Sequence, residues 1–492
     1  MALKGCLLLV LAVILHAATV LVCVESVRGQ AADQPFNRKS FPDGFIFGAA
    51  TSAYQALQMR VEEARAFGIL SLTNTQKDVE ITKDMGMDAY RFSISWSRIL
   101  PNGTLGGGIN KQGIEYYNNL IDEVISKGMK PFVTLFHWDV PQFLEDKYGG
   151  FLSREITDLA DVCFWKFGDR VKHWITLNEP WSFSNLGYGI GMHAPGRCSA
   201  CSQGYSPTEP YKVAHNLLLA HAAVVQLYRN KFQEYQKGVI GITLISSWVV
   251  PYNFDSVDNY YASKRAMDFM LGWYMDPLTG GDYPRRMRDK VGERLPKFSE
   301  QESALVNGSF DFIGINYYTT QFAKHVERLE PPENFSYSTD WNAHLAGDRN
   351  TDWATGSTWL YVYPRGLLEL LVYTSFKYNN PVIYITENGV GEYNDADIPL
   401  AKALNDKMRV DYHHDHLSAL LDAIRSGVDV RGYFAWSLVD NFEWANGYTT
   451  RFGLTFVDYK NNLKRHPKLS ALWFKKFLKK SHKNIIDLEE EG

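Results

Sequence analysis

The sequence predicts a single α/β domain, a closed (β/α)8 TIM barrel with loop insertions, and three observations lead there. Eight short runs rich in β-branched and aromatic residues alternate with amphipathic stretches of helical spacing. No Gly/Ser-rich or proline-rich linker and no short repeat divides residues 41 to 480. Polar or ring side chains stand at or just past the ends of all the runs but the fifth. Strict alternation of strand and helix implies a parallel sheet, and eight units over this length favour closure, with functional residues at the C-terminal strand ends.

The runs are FIFGAAT (45–51), AYRFSIS (89–95), PFVTLFH (131–137), HWITLN (173–178), VIGITLIS (239–246), FIGINYY (312–318), VIYITE (382–387) and GYFAWSL (432–438). Helices expected between them include KQGIEYYNNLIDEVISKG (111–128), EPYKVAHNLLLAHAAVVQLYRN (209–230) and DYHHDHLSALLDAIRSG (411–427), with a Gly stop where one follows. Gln55 lies just past the first run, Arg91 sits inside the second, and His137-Trp138-Asp139 closes the third. Asn178-Glu179-Pro180 closes the fourth, Asn316 and Tyr318 the sixth, Glu387 the seventh and Trp436 the eighth. Behind Glu387, Asn388-Gly389 reads as a closing turn.

Composition narrows the function. The 492 residues are 45% hydrophobic, 14% aromatic and 22% charged, as in a globular chain with a large core. A formal charge of -4 offers no field to gather nucleic acid or an anionic membrane, so the expected partner is an uncharged small molecule. The oligomeric state is left open, a homo-oligomer included. The basic run KKFLKKSHK (475–483) beside the acidic DLEEEG reads as a solvated terminal helix or tail.

The N-terminal MALKGCLLLVLAVILHAATVLVCVES matches a secretory signal peptide over about residues 1–25, a single membrane anchor being the alternative. The barrel domain is expected over 40–482 and an acidic tail over 483–492. Removal of the signal leaves Cys163, read as a buried free thiol, and the pair Cys198 and Cys201, which an oxidising compartment lets close a very short loop. A metal or redox CxxC is the rival reading of that pair. Sequons at Asn102, Asn307 and Asn334 agree with a secreted chain, bound for the cell exterior, wall or vacuole, with no membrane attachment once the signal is gone. His413 and His416, three apart on an expected helix, lack an evident third ligand, so neither a metal nor any other cofactor is expected.

Two glutamates at the ends of strands four and seven suit glycosidic bond cleavage, one carboxylic acid protonating the leaving oxygen and one carboxylate attacking the anomeric carbon. Taken singly, Glu179 or Glu387 reads more readily as a satisfied structural carboxylate. Their shared placement among Trp, Tyr, Asn and His sets the pair apart.

Seven stretches carry a resemblance: FPDGFIFGAATSAYQ (41–55), AYRFSISWSRILP (89–101), FHWDVPQ (136–142), ITLNEPW (175–181), INYYT (315–319), YITENG (384–389) and GYFAWSLVDNFEWANGYTTRFGL (432–454). With them the chain resembles the plant β-glucosidases of glycoside hydrolase family 1. The resemblance implies that Glu179 is the proton donor and Glu387 the nucleophile of a retaining β-glucosidase, with carboxyl groups about 5–5.5 Å apart. It implies that Arg91 and Asn316 support the pair, that Tyr318 binds substrate and, with Arg91, keeps Glu387 ionised, and that Asn178 reaches the sugar 2-hydroxyl. Trp436 becomes the platform under the ring, a core tryptophan being the alternative. Glu443 meets the 4- and 6-hydroxyls, Gln55, His137 and Trp444 the 3- and 4-hydroxyls, and Phe452 closes the wall. Trp359 resembles the ring that sandwiches the aglycone, ordinary packing being its alternative. Glu179 is expected to have its pKa raised by apolar surroundings.

After Gln55 the pattern departs. ALQMRVEEARAFGILSLTNT (56–75) replaces the longer segment that family members carry, before the helix resumes at QKDVEITKDMG (76–86). Lost cover over the first strand is expected to cost several of the roughly 5–15 kcal/mol that hold a domain together. The alternative function is therefore a catalytically impaired sugar-binding relative.

Overall fold

The computed structural model describes residues 35–56, 72–152, 157–327, 335–347, 358–395 and 397–479. The expected signal peptide, the acidic tail, the sequon at Asn334 and the LQMRVEEARAF part of the atypical segment lie outside the described residues.

Eight parallel strands close a barrel: β1 (Ile46–Ala50), β2 (Ala89–Ser93), β3 (Lys130–Phe136), β4 (His173–Asn178), β5 (Val239–Ile245), β6 (Phe312–Asn316), β7 (Ile383–Asn388) and β8 (Val430–Trp436). Each pairs with its sequence neighbours, and β1 closes the ring on β8 with Ile46 opposite Gly432 and Ala50 opposite Trp436. These are the eight runs expected from the sequence. The strands are buried on both faces, so their apolar residues run on continuously instead of alternating.

The helices follow from local chemistry. Asn110 caps Lys111–Ser126 by accepting from the Gln112 amide, and the chain leaves that helix through Gly128 at φ +69°. Glu209–Lys231 takes Pro210 in its first turn and buries most of its length, and Lys407–Arg425 packs on the helix Pro364–Lys377. Among the described residues past Ala56, a helix spans Leu72–Asp84 and begins inside the atypical segment. Among the described residues, no helix is long and apolar enough to cross a membrane.

A three-stranded sheet of Trp248–Pro251, Thr320–His325 and Ala343–Ala346, formed by the chain beyond β5 and β6, was not anticipated from the sequence. Inside the barrel, the rings of Phe132, Phe312, Tyr384 and Phe434 meet at centroid distances of 4.7 to 5.4 Å. This aromatic plug fills the interior, and Tyr318, Trp436 and Phe452 belong to the same buried cluster.

Candidate active site

Each glutamate stands where its strand leaves regular pairing. The β4–β5 register shifts between Ile175 and Asn178, and β7 shifts against β6 between Ile385 and Glu387. Such irregularities turn a strand end and re-aim its side chains. Glu179 also takes the left-handed conformation, φ 46° and ψ 62°, while its amide donates to the Thr243 carbonyl and Pro180 opens the helix Pro180–Tyr188. A non-glycine residue held there is uncommon and marks a constrained position.

Asn388 is no solvated turn residue. It ends β7 fully buried, its amide donating to the Tyr317 carbonyl and the Tyr412 hydroxyl while the Tyr433 hydroxyl donates to its oxygen. Gly389 is required because a Cβ there would sit 1.8 Å from the Trp436 carbonyl oxygen. The Asn-Gly pair thus serves close packing of β7 on β8, a role that its local sequence imitates with a turn signal.

Each oxygen of the Glu387 carboxylate has a strong donor. Arg91 Nη1 reaches Oε1 at 2.5 Å and the Tyr318 hydroxyl reaches Oε2 at 2.8 Å. Burial and then the Glu387 charge push the Tyr318 phenol well above its ordinary pKa, so it stays a donor. Arg91 Nη2 donates to Asn178 Oδ1 at 2.7 Å, which turns the Asn178 amide nitrogen toward His137 Nε2 at 3.2 Å. Burial, with Arg91 beside it, holds His137 well below the usual imidazole range and therefore neutral.

Glu179 is served differently. Asn316 Nδ2 donates to Oε1 at 2.6 Å and Ser182 Oγ to Oε2 at 2.7 Å, but among the described residues no cation is bonded to it. Burial, and after it the charge of Glu387, raises the carboxyl to about 7 despite those two donors and Arg91. One fold thus holds two carboxyls in unlike surroundings, the arrangement that separates an acid from a nucleophile.

The remaining expected residues gather around this pair. The His137 ring stacks between Trp436 (6.1 Å) and Trp444 (5.9 Å), and Trp444 in turn lies parallel to Tyr54. Gln55 is fully buried, its oxygen accepting from Ser52 and its nitrogen donating to Asn441 at 3.0 Å and to Glu443 at 3.4 Å. Desolvation and the charges of Glu387 and Glu179 raise Glu443 to about 8. Phe452 is buried edge-on to Tyr318, and Trp359 stands on the other side of Tyr318 with 41% of its surface exposed. Ser182 escaped the sequence reading, although its place three residues after Glu179, on the first helical turn, puts both on one face.

Other expected residues lie elsewhere. Asn102 and Asn307 are exposed, Cys198 and Cys201 form a disulfide, and Cys163 is a buried free thiol. His413 pairs with the Tyr433 hydroxyl and His416 donates to the Tyr412 carbonyl, each at 2.7 Å. Among the described residues no three His, Cys, Asp or Glu side chains are grouped to hold a metal.

Comparison with known proteins agrees with this geometry. The family described as Glycosyl hydrolase family 1 matches residues 57–483. Beta-glucosidase 12 of Oryza sativa subsp. indica is 53% identical over 496 aligned residues, which cover 93% of this chain and 96% of that protein. That alignment is longer than this whole chain, so the relative has residues that this one lacks. Raucaffricine-O-beta-D-glucosidase of Rauvolfia serpentina is 48% identical, with 92% and 93% covered. A rice β-glucosidase mutant, solved in a covalent complex with glucose, superposes with a TM-score of 0.86 at 46% identity over 91% of this chain and all of that one. On the extent of the family match and this level of identity, the chain belongs to glycosyl hydrolase family 1.

Proposed function

We propose that the protein hydrolyses terminal non-reducing β-D-glucosyl residues of small β-glucosides, with retention, by double displacement. The observation that carries this reading is the unlike treatment of two buried carboxyls at strand ends, Glu387 bonded to Arg91 and Tyr318, and Glu179 raised to about 7. In the first step Glu387 attacks the anomeric carbon as Glu179 gives its proton to the departing glycosidic oxygen. Forming the glycosyl ester removes the negative charge of Glu387, the second-largest cause of the raised Glu179 pKa. The acid then releases its proton more readily and acts as the base that takes a proton from water, which attacks the same carbon and frees Glu387.

The sugar would lie on Trp436, its hydroxyls meeting Gln55, His137, Asn178, Glu443 and Trp444, with Phe452 as wall and Trp359 over the aglycone. The impaired, merely sugar-binding alternative is not favoured by relatives named as β-glucosidases. The N-terminal apolar stretch, the disulfide and the exposed sequons at Asn102 and Asn307 support passage through the secretory pathway as a glycoprotein.

A 2-deoxy-2-fluoro β-glucoside tests the mechanism, because slow deglycosylation traps the ester. One glucosyl adduct on Glu387, located by intact mass and peptide mapping, is expected, as is the β-anomer as the first-formed sugar from an aryl β-glucoside. Initial release of the α-anomer would end the retaining reading.

A further inference from the structure

Behind the acid lies a chain of amide and hydroxyl groups that runs from Asn316 to two threonines, Thr386 and Thr243, with no role assigned from the sequence. Asn316 uses both amide hydrogens, one to Glu179 Oε1 at 2.6 Å and one to Asn178 Oδ1 at 3.2 Å. Its oxygen accepts from the Thr386 hydroxyl at 2.7 Å, and Thr386 Oγ1 in turn accepts from the Thr243 hydroxyl at 3.2 Å. Both threonines are fully buried, on β7 and β5, on either side of Asn316 and β6. They meet across β6 at Gly314, where a Cβ would lie 2.4 Å from Thr243 Oγ1 and 2.8 Å from Thr386 Oγ1. Only a strand residue without a side chain leaves room for this hydroxyl pair.

We propose that Thr386, backed by Thr243, is a positioning residue that fixes the Asn316 amide with its nitrogen toward Glu179 and thereby sets the pH at which the acid gives up its proton. The argument is one of polarity. A flipped Asn316 would turn its oxygen toward Glu179 Oε1 and Asn178 Oδ1, both acceptors, and its nitrogen toward Thr386. A Thr386 hydroxyl that accepts from Thr243 keeps its proton for Asn316, so the relay is directional. The titratable or charged groups that also bear on Glu179 are Glu387 from β7, Arg91 from β2, and Tyr318 and Glu443 from the loops after β6 and β8, and the Ser182 hydroxyl donates to its Oε2. None of them touches the Asn316 oxygen. The inference rests on the role proposed for Glu179 as acid.

The test is the pH profile of kcat/KM for an aryl β-glucoside with Thr386→Val, Thr386→Ser and Thr243→Val. Thr386→Val keeps the shape and removes the donor. Loss of a firm Asn316 bond destabilises the ionised Glu179, so the basic limb is expected to move to higher pH, with kcat falling about three- to tenfold, the worth of one net hydrogen bond. Thr386→Ser restores the limb, and Thr243→Val moves it in the same direction by less. A purely structural role would lower activity at every pH without moving the limb. An unmoved limb in Thr386→Val, or a serine variant as displaced as the valine one, overturns the proposal. Should Thr386→Val not fold, Thr243→Val decides by the same reading. Failure of Glu179→Gln to abolish the basic limb altogether would instead remove the assignment of the acid.

Discussion

Arg91 Nη1 donates to Glu387 Oε1 at 2.5 Å, and both side chains are almost wholly withdrawn from water, with 1% and 5% of their surfaces exposed. A buried ion pair is weak evidence for stability, yet removing one partner strands the other's charge. Arg91→Met is therefore expected to destabilise the fold by about 3–5 kcal/mol, read by chemical denaturation. Arg91→Lys keeps the charge but loses the fork that serves Glu387 and Asn178 together, and turnover should fall about ten- to a hundredfold.

The pH dependence of turnover follows from Glu179. With its carboxyl raised to about 7, the proton needed by the leaving oxygen is present below that value and absent above it. The kcat/KM of a glucoside should fall as pH rises through about 7. Glu179→Gln should lose that limb and slow substrates with poor leaving groups by about 10²–10⁴.

Asp139 gives a prediction about stability. Burial lifts its carboxyl to about 7, offset only in part by neighbouring backbone and Ser95, and neither oxygen makes a hydrogen bond of ordinary geometry. A folded-state pKa above the unfolded one means that the fold resists ionisation. The associated stability is complete below the unfolded value and disappears as pH rises through about 7. Asp139→Asn should thus match the wild type near pH 4 and exceed it by about 1–3 kcal/mol at pH 8.5. Paired thermal melts at the two pH values check it.

Trp359 tests the aglycone assignment. Its ring stands edge-on to Tyr318 at 5.7 Å and is 41% exposed. Trp359→Ala should raise KM for aryl glucosides about three- to tenfold, the worth of one ring contact, and leave methyl β-glucoside hydrolysis unchanged. An equal effect on both substrates would make the ring a packing residue.

Much of the barrel was legible because parallel strands buried on both faces must be written as unbroken apolar runs, and polar residues that interrupt them at the end stand out. Asn178, Glu179 and Glu387 were visible for that reason, and Arg91 as a lone charge inside the second run. Asn388 was misread because Asn-Gly has the same spelling in a turn and in a tight β7–β8 contact, and only the Tyr412 and Tyr433 hydroxyls tell them apart. Thr243, Gly314 and Thr386 were invisible for another reason. They look like ordinary strand residues, and their meeting depends on three strands brought together from across the chain. The extra sheet at 248–251, 320–325 and 343–346 pairs segments too short and too ordinary to announce themselves.

The left-handed backbone at Glu179 has a consequence for how the two halves of the reaction share one carboxyl. Its amide is tied to β5 through Thr243, and the next residue is a proline already committed to a helix, so neither flanking peptide is free to rotate. Between donating and accepting a proton, this group has only its own side-chain torsions to adjust. In the double displacement proposed above, the adjustment between those two roles therefore falls to the Glu179 side chain and to the sugar, while the backbone beneath them stays fixed.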